Sequence, residues 1–306
     1  MSWQTAKQAD CASDTGCTPV ELVIEPRAHE LGGFEVRRAL PVRQRRMVGP
    51  FVFFDHMGPA TLGPDQPINV RPHPHIGLST LTWLFEGSIM HRDSLGIAQE
   101  IQPGEFNSMT AGSGIVHSER TPERLLGQSN HLHGLQIWMA LPKDHEETAP
   151  AFQHYKADQL PVLDADGVHA VVVAGRAWGL ESPVSVYSDT VYVDIDMSAG
   201  AQLSIGPEHG ERALYLVSGE LEISGTSFAA GRMLVLRDGL DVTIRAAGAA
   251  RVMLLGGARM DGPRHMYWNF VSSDRARIEQ AKRDWREGRF AKVPGDSEEF
   301  IPLPED

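Results

Sequence analysis

The stretch Thr80-Leu81-Thr82-Trp83-Leu84-Phe85-Glu86-Gly87-Ser88-Ile89 begins as an alternating strand, turns at Glu86-Gly87 and resumes an apolar pattern. A second stretch of the same shape, Ala213-Leu214-Tyr215-Leu216-Val217-Ser218-Gly219-Glu220-Leu221-Glu222-Ile223, turns at Ser218-Gly219. Each stretch is followed by another glycine-led turn, at Pro103-Gly104 and at Ala230-Gly231. Period-two alternation predicts half-buried strands, and a pattern that recurs in both halves predicts a structural repeat. The sequence therefore predicts an all-β protein made of two stacked copies of one β-barrel.

The composition is that of an ordinary globular protein. The chain has 306 residues, of which 42% are hydrophobic and 22% charged, and this length can bury one large core or two. A net charge of −12 argues against direct nucleic acid binding, since phosphate contacts need clustered Lys and Arg. The arginines between positions 37 and 46 are interpreted as a solvated strand and loop rather than a partner surface. With no basic leader and no run of 18 apolar residues, we expect a cytoplasmic protein without a membrane partner.

The chain is predicted to have four segments. Residues 1–18, which contain both cysteines, form a flexible tail without a disulfide framework, and 19–145 form the N-terminal barrel with a metal site. Residues 146–270 form a second barrel without metal, and 271–306 a C-terminal helix and tail. That helix is expected to be capped by Ser272 or Ser273 and to place its apolar residues on one face. These residues are Ile278, Ala281 and Trp285.

Two short motifs carry side chains that can bind a metal. His73 and His75 stand two residues apart, and so do His117 and Glu119. In a β-strand this spacing puts both side chains on one face. Two such strands meeting inside a barrel would direct three imidazoles and one carboxylate at a common point. This donor set suits Fe(II), Mn, Ni, Cu or Zn, and four protein ligands on an octahedral metal leave two positions open. The sequence therefore predicts a mononuclear metal site.

Other histidines are interpreted differently. His131 and His133 form a further pair, but no His-x-Glu follows at a suitable distance. We interpret them as core residues or as residues that support the ligands from behind. Between Ala170 and Met260 the only histidine is His209, so the second barrel is expected to be metal-free.

Several motifs resemble those of the pirin family of bicupins. They are Phe54-Asp55-His56-Met57-Gly58-Pro59, His73-Pro74-His75, Glu86-Gly87, His91-Arg92-Asp93-Ser94, the stretch from Met109 to Glu119, and His133-Gly134-Leu135-Gln136-Ile137-Trp138. The similarity extends from about residue 20 to the C-terminal helix.

The resemblance implies two jelly-roll cupin barrels with Fe(II) in the N-terminal one. The ligand pattern of the family maps onto His73, His75, His117 and Glu119, all intact. One departure from ordinary cupins stands out, because Ser79 occupies the place of a common cupin glutamate. Glu119 is then the single obvious carboxylate ligand.

The resemblance leaves two functions open. Some pirin relatives are similar in activity to quercetin 2,3-dioxygenase, and this implies an enzyme that uses O₂ on a flavonol or related phenol. In that case Glu119 is the best candidate for the general base, while His56, His91 and Glu86 are interpreted as supporting or turn residues. The alternative is a redox-sensing regulatory protein that modulates a transcription factor or a metabolic enzyme through its iron. We favour the dioxygenase.

Overall fold

The computed structural model describes residues 18–31 and 34–305, and these form strands, three short 3₁₀ helices and one α-helix. The strands of the first half are β1 (Val20–Ile24), β2 (Arg27–Leu31), β3 (Phe34–Leu40), β4 (Phe51–Leu62), β5 (Asn69–His75), β6 (Leu78–Glu86), β7 (Ile89–Asp93), β8 (Ala98–Ile101), β9 (Phe106–Thr110), β10 (Ile115–Arg120), β11 (Asn130–Ala140) and β12 (Ala151–Tyr155). Those that follow are β13 (Val162–Ala165), β14 (Val168–Ala177), β15 (Leu180–Glu181), β16 (Thr190–Met197), β17 (Gln202–Ile205), β18 (Glu211–Ser218), β19 (Glu220–Ile223), β20 (Thr226–Ala229), β21 (Met233–Leu236), β22 (Val242–Ala246), β23 (Ala250–Gly257), β24 (His265–Tyr267) and β25 (Phe270–Ser272). The α-helix, α1, spans Arg275–Arg286, and the 3₁₀ helices span Glu123–Leu125, Lys143–His145 and Ala157–Gln159.

The chain packs into two compact units. The N-terminal cupin unit comprises Arg27–Pro41, Phe51–Ala157 and 260–305, and the C-terminal cupin unit comprises 18–26, Val42–Pro50 and Asp158–Arg259. Each unit therefore contains segments that are distant in sequence. The predicted linear division at residues 19–145, 146–270 and 271–306 stays a prediction, and the predicted tail at residues 1–18 lies, except for Thr18, outside the described residues.

The N-terminal cupin unit contains two main antiparallel sheets and the short two-stranded sheet β24-β25. One has the strand order β12-β9-β6-β11-β4-β3-β2 and the other the order β5-β10-β7-β8. Strand β6 lies between β9 and β11, so its residues from Leu78 to Leu84 are buried, as in a strand that is covered on both faces. An apolar cluster that includes Val36, Leu84 and Leu132 forms part of the core. The arrangement is a cupin jelly roll.

The C-terminal cupin unit repeats this order strand for strand. Its sheets read β1-β21-β18-β23-β16-β14-β13, with β15 beside β14, and β17-β22-β19-β20. Strand β6 therefore corresponds to β18, and β5 corresponds to β17. The turns after β6 and β18 both place a glycine at positive φ, Gly87 at 86° and Gly219 at 82°, where other residues are strained. The predicted repeat of one all-β barrel is confirmed, and so is the cupin fold.

Helix α1 packs as predicted but begins differently. Its N-cap is Asp274, whose carboxylate accepts a hydrogen bond from the amide of Ala276, so the predicted cap at Ser272 or Ser273 is wrong. Both serines instead donate to the carboxylate of Glu146 at 2.9 and 3.0 Å. On the apolar face, Ile278 and Ala281 are buried, and Trp285 packs partly buried beside them. No helix in the described part of the chain has the length and apolar character needed to cross a membrane.

Candidate metal centre

Two neighbouring strands bring three histidines together. His73 and His75 lie near the end of β5, and His117 lies on β10, directly opposite His73 in the antiparallel pair. Gly77 ends the segment with φ of 68°, and a side chain there would lie 2.0 Å from the carbonyl oxygen of Val271. Only glycine therefore allows the chain to turn so closely behind the histidines. All three imidazoles are buried, with His73 the most exposed at 6%.

The three imidazoles are close enough to share one ion. One ring nitrogen from each can be chosen so that all three lie within 4.8 Å of one another, and the Nε2 atoms of His75 and His117 are 3.1 Å apart. Two nitrogens bound at right angles to one metal, each at about 2.1 Å, would be separated by about 3.0 Å. The observed spacing therefore fits a common divalent metal.

Burial keeps these imidazoles neutral. It lowers the pKa of His73 to about 4, although the hydrogen bond to the Arg71 backbone opposes the shift. Burial also places the pKa of His75 and of His117 well below the ordinary value, helped in each case by the neighbouring histidines. A neutral imidazole offers a lone pair to a metal. At neutral pH the group is ready to bind a cation.

Hydrogen bonds select which nitrogen faces the metal. The Nδ1–H group of His73 donates to the carbonyl oxygen of Arg71 at 2.9 Å, which leaves Nε2 free for coordination. Nδ1 of His117 lies 3.4 Å from Nδ1 of His91, and Nε2 of His91 lies 3.1 Å from the carboxylate of Asp93. Asp93 is fully buried and accepts the amides of Leu95 and Ile97. The chain from Asp93 through His91 orients the ring of His117, which agrees with the interpretation of His91 as a supporting residue.

Glu119 is not a member of this group of three. It lies two residues after His117 on β10, but the pairing with β5 shifts between these two residues, so that Glu119 faces Val70. Burial raises the pKa of Glu119 to about 7. Within the described residues its carboxyl group has no hydrogen bond or ion pair. Ligation by Glu119 therefore stays a prediction.

The two histidines of the second pair have different partners. His133 is 2.9 Å from His56 through their Nε2 atoms, and the guanidinium of Arg37 contacts His56 and the carbonyl of Gly58. His131 is exposed and contacts Thr61. His131 is therefore not the core residue that the sequence suggested, and the group of three contains neither His131 nor His133. The pKa of His56 falls to about 3, first through burial and then through Arg37.

The arginines between positions 37 and 46 are partly used within the protein. Arg38 binds both carboxylate oxygens of Asp55 at 2.8 Å, and Arg45 lies 3.5 Å from Glu211. Arg43 and Arg46 are exposed, in line with a solvated loop, whereas Arg38 and Arg45 are partly buried and ion-paired.

The C-terminal tail contacts both strands that carry the histidines, and these contacts were not predicted from the sequence. Asp296 accepts hydrogen bonds from Ser118 at 2.7 Å and from Arg120 at 3.0 and 2.8 Å, and these two residues flank Glu119. On β5, the amide of Ile301 donates to the carbonyl of Pro72 at 2.9 Å, next to His73. The tail thus holds both strands that carry the histidines. No local pattern around Asp296 signals this role, because its partners lie more than 170 positions away.

In the C-terminal cupin unit, the histidine that the sequence singled out has other partners. His209 is bonded through Nδ1 to Asp189 at 2.7 Å and through Nε2 to the carbonyl of Arg176 at 3.0 Å. Among the described residues, His73, His75 and His117 form the group whose possible ligand atoms all lie within 4.8 Å of one another.

Comparison with known proteins places this site in a family. Residues 33–139 match the family model Pirin, and residues 192–291 match the Pirin C-terminal cupin domain. A pirin-like protein from Caulobacter vibrioides is 48% identical over 289 residues, which cover 94% of this chain and 100% of the relative. A crystal structure of quercetin 2,3-dioxygenase from Acinetobacter baumannii has a TM-score of 0.86 and 36% identity, covering 93% of this chain and 95% of the other. A bacterial pirin from Escherichia coli in complex with nickel(II) has a TM-score of 0.62 and 19% identity, with 78% and 99% covered. The chain belongs to the pirin family.

Proposed function

We propose that this protein is a metal-dependent dioxygenase of the quercetin 2,3-dioxygenase type, which acts on a flavonol or related phenol at a mononuclear Fe(II). The observation that carries the proposal is the group of three buried, neutral imidazoles whose nitrogens lie within 4.8 Å of one another. The likeness to the quercetin 2,3-dioxygenase of Acinetobacter baumannii supports the same chemistry.

In this proposal His73, His75, His117 and Glu119 hold the metal. A divalent iron held there would supply Lewis acidity toward a phenol oxygen and a binding position for O₂. The protein keeps its three imidazoles buried and uncharged, which excludes competing protons. Asp93 and His91 fix the orientation of the His117 ring. Histidine and carboxylate ligands accept several divalent metals, and the E. coli relative was solved with nickel(II).

Glu119 has a second role as the base that takes the proton of the substrate hydroxyl. A general base works best when its pKa is near the working pH. In the metal-free protein burial raises the pKa of Glu119 to about 7; because a metal holds a bound carboxylate deprotonated, Glu119 would take a proton only after it leaves the metal. A carboxylate without a fixed protein partner is free to move between the metal and the substrate proton. Glu119 is thus proposed as both ligand and base.

The test is turnover of quercetin. Metal-free protein is loaded in turn with Fe(II), Mn, Ni, Cu or Zn, and the loss of flavonol absorbance is followed in air. We expect turnover with iron and loss of both metal and turnover in His117→Ala. His131→Ala is the matched control, because this exposed histidine lies outside the metal group. Absence of turnover with every metal refutes the flavonol dioxygenase, and turnover by the metal-free variant refutes its mechanism.

One observation favours the alternative function, a redox-sensing regulatory protein. The tail residues Asp296 and Ile301 bond to neighbours of the histidines, and Glu299 beside them is about half exposed while it pairs with Arg120. A change in the charge of the iron would act on a tail that faces solvent. A protein partner could read that change.

Hydrogen exchange of residues 293–304 tests the regulator. The regulatory function predicts faster exchange in one of the two iron oxidation states, together with partner binding that follows it. Equal exchange in the ferrous and ferric proteins contradicts it.

A further inference from the structure

The C-terminal cupin unit contains a cavity of about 180 Å³. Its wall is formed by the end of β14, the turn to β15, the end of β17, the start of β18, and parts of β16 and β23. The apolar side chains that line it are Trp178, Leu180, Val191, Ile205 and Leu254. The cavity thus opens inside the barrel rather than on a flat surface.

The cavity has the same place in its unit as the histidine group has in the other. Strands β17 and β18 correspond to β5 and β6, because the two sheet orders match strand for strand. In the N-terminal cupin unit, the end of β5 supplies His73 and His75. In the C-terminal cupin unit, the end of β17 supplies Ile205, and the following segment supplies no metal group. The end of β17 thus borders a cavity with an apolar residue where the end of β5 carries two histidines.

A buried arginine replaces the metal ligands. Arg212 lines the cavity and is 1% exposed. Its terminal nitrogens donate to three carbonyl oxygens, those of Gly206 at 2.5 Å and of Arg237 and Leu240 at 3.0 Å. Within the described residues no carboxylate forms an ion pair with it, and its Nε is buried without a hydrogen-bond partner. The carboxylates of Asp238, Glu208 and Asp241 act on this guanidinium only through space. The Nε–H group therefore has no acceptor beside the cavity, and this unmet hydrogen bond favours an anionic acceptor there.

Other polar residues of the cavity do not replace that anion. His209 already uses both ring nitrogens, on Asp189 and on the carbonyl of Arg176. Glu181 and Glu208 also line the cavity, but both are exposed, so water screens their charges. Arg176 at the same rim is exposed and its charge is balanced by Asp189 at 3.0 Å. The deepest charge of the cavity is therefore positive.

We propose that this cavity binds a small monocarboxylate with an apolar body. The carboxylate accepts the Nε–H group of Arg212, and a charge-assisted bond of this kind is stronger than one to a neutral ligand. The apolar body lies against Trp178, Leu180 and Leu254. The volume equals about six water molecules and is smaller than drug-sized pockets of about 300 Å³ or more. It therefore suits one ring or a short chain, and benzoate is a fitting probe.

The test is titration of benzoate and of its neutral isostere benzamide into the full-length, metal-loaded protein, followed by calorimetry. We expect saturable binding of one benzoate per chain and at least tenfold weaker binding of benzamide. Arg212→Gln is expected to weaken benzoate at least tenfold. Since Arg212 also supports three carbonyls, Ala177→Leu is a second variant that fills the cavity and keeps the charge, and it should weaken benzoate equally.

His117→Ala is the matched control at the metal centre and should bind benzoate as the wild type does. Loss of binding in this variant would move the benzoate to the metal and overturn the proposal. So would equal affinity for benzamide, unchanged binding in folded Ala177→Leu, or no saturable binding to the wild type. Failure of quercetin turnover has no bearing on these outcomes, so the two proposals fail separately.

Discussion

The single residue with most influence on the proposed chemistry is Glu119. Its pKa of about 7 is set by burial, whereas the imidazole of His73 titrates only near pH 4. Between pH 8 and pH 6 the carboxyl group therefore takes up its proton while the three imidazoles stay neutral. A protonated carboxyl group is a poor metal ligand.

We accordingly expect the affinity for a divalent metal to fall about tenfold from pH 8 to pH 6, because the deprotonated fraction of Glu119 falls by that factor. In Glu119→Gln the affinity should be lower at pH 8 and nearly constant over this range. Competition with a chelator of known proton affinity measures both. An identical pH dependence in the variant would show that Glu119 does not bind the metal.

Asp93 influences the metal group through His91, without belonging to it. It holds His91, which contacts His117, and its other oxygen accepts two amides. Asn keeps the shape and loses the charge, so Asp93→Asn should weaken metal binding by roughly 10-fold or more while the fold stays intact. Metal titration with a circular dichroism check measures this. If the folded variant binds metal as tightly as the wild type, packing alone orients the ring of His117.

At the scale of elements, strands β5 and β10 depend on the tail. Loss of hydration raises the pKa of Asp296, but the hydrogen bonds from Arg120 and Ser118 outweigh it, and the net pKa is lowered. Because the pKa in the folded state lies below that of the unfolded chain, this stabilisation is complete above about pH 4 and is lost as the pH falls further.

Asp296→Ala should therefore lower the unfolding temperature by about 2–4 °C at pH 7 and at pH 5, and by less below pH 4. Scanning calorimetry at the three pH values measures the difference. Glu298→Ala is the control, since this neighbouring carboxylate is exposed and has no bond in the described structure. If the variant's unfolding temperature is lowered by the same amount below pH 4, Asp296 stabilises the protein by packing and not by its charge.

The elements also show what a sequence can reveal. The glycine turns at Gly87 and Gly219 predicted the repeated barrel, because a turn with positive φ is a local requirement. The two-residue spacing of His73 and His75 predicted that both lie on one face of a strand. The same spacing of His117 and Glu119 predicted two further ligands, of which the group of three contains His117. The bulge near Glu119 and the cap at Asp274 were not predicted. Both depend on partners from distant parts of the chain, on β5 for the bulge and on Glu146 for the two serines.

For the whole molecule, the path of the chain is decisive. Strand β1 pairs with β21 of the C-terminal cupin unit, and residues 260–305 complete the N-terminal cupin unit. Ile76 bridges to Phe270, and both are almost fully buried. No local motif predicts these pairings, because the alternating pattern of a strand does not specify which distant strand it pairs with.

A fragment of residues 27–157 should consequently aggregate or unfold, although it contains every predicted metal ligand. Without residues 260–305 it exposes Ile76 and leaves Pro72 and Arg120 without their tail partners. Addition of a peptide of residues 260–305 should restore structure and metal binding, as judged by circular dichroism and metal titration. A stable fragment that binds metal without the peptide would contradict this expectation.

The tail that bonds to Pro72 and Ser118 also dictates when the metal centre matures during synthesis. A ribosome makes residues 260–305 only after the entire C-terminal cupin unit has been translated. The strands with the three histidines are made early. They lack their bonds to the tail until the last segment of their own unit has been synthesised. We therefore expect metal insertion to follow the synthesis of residues 260–305, and a stalled nascent chain to carry the histidines without the finished site.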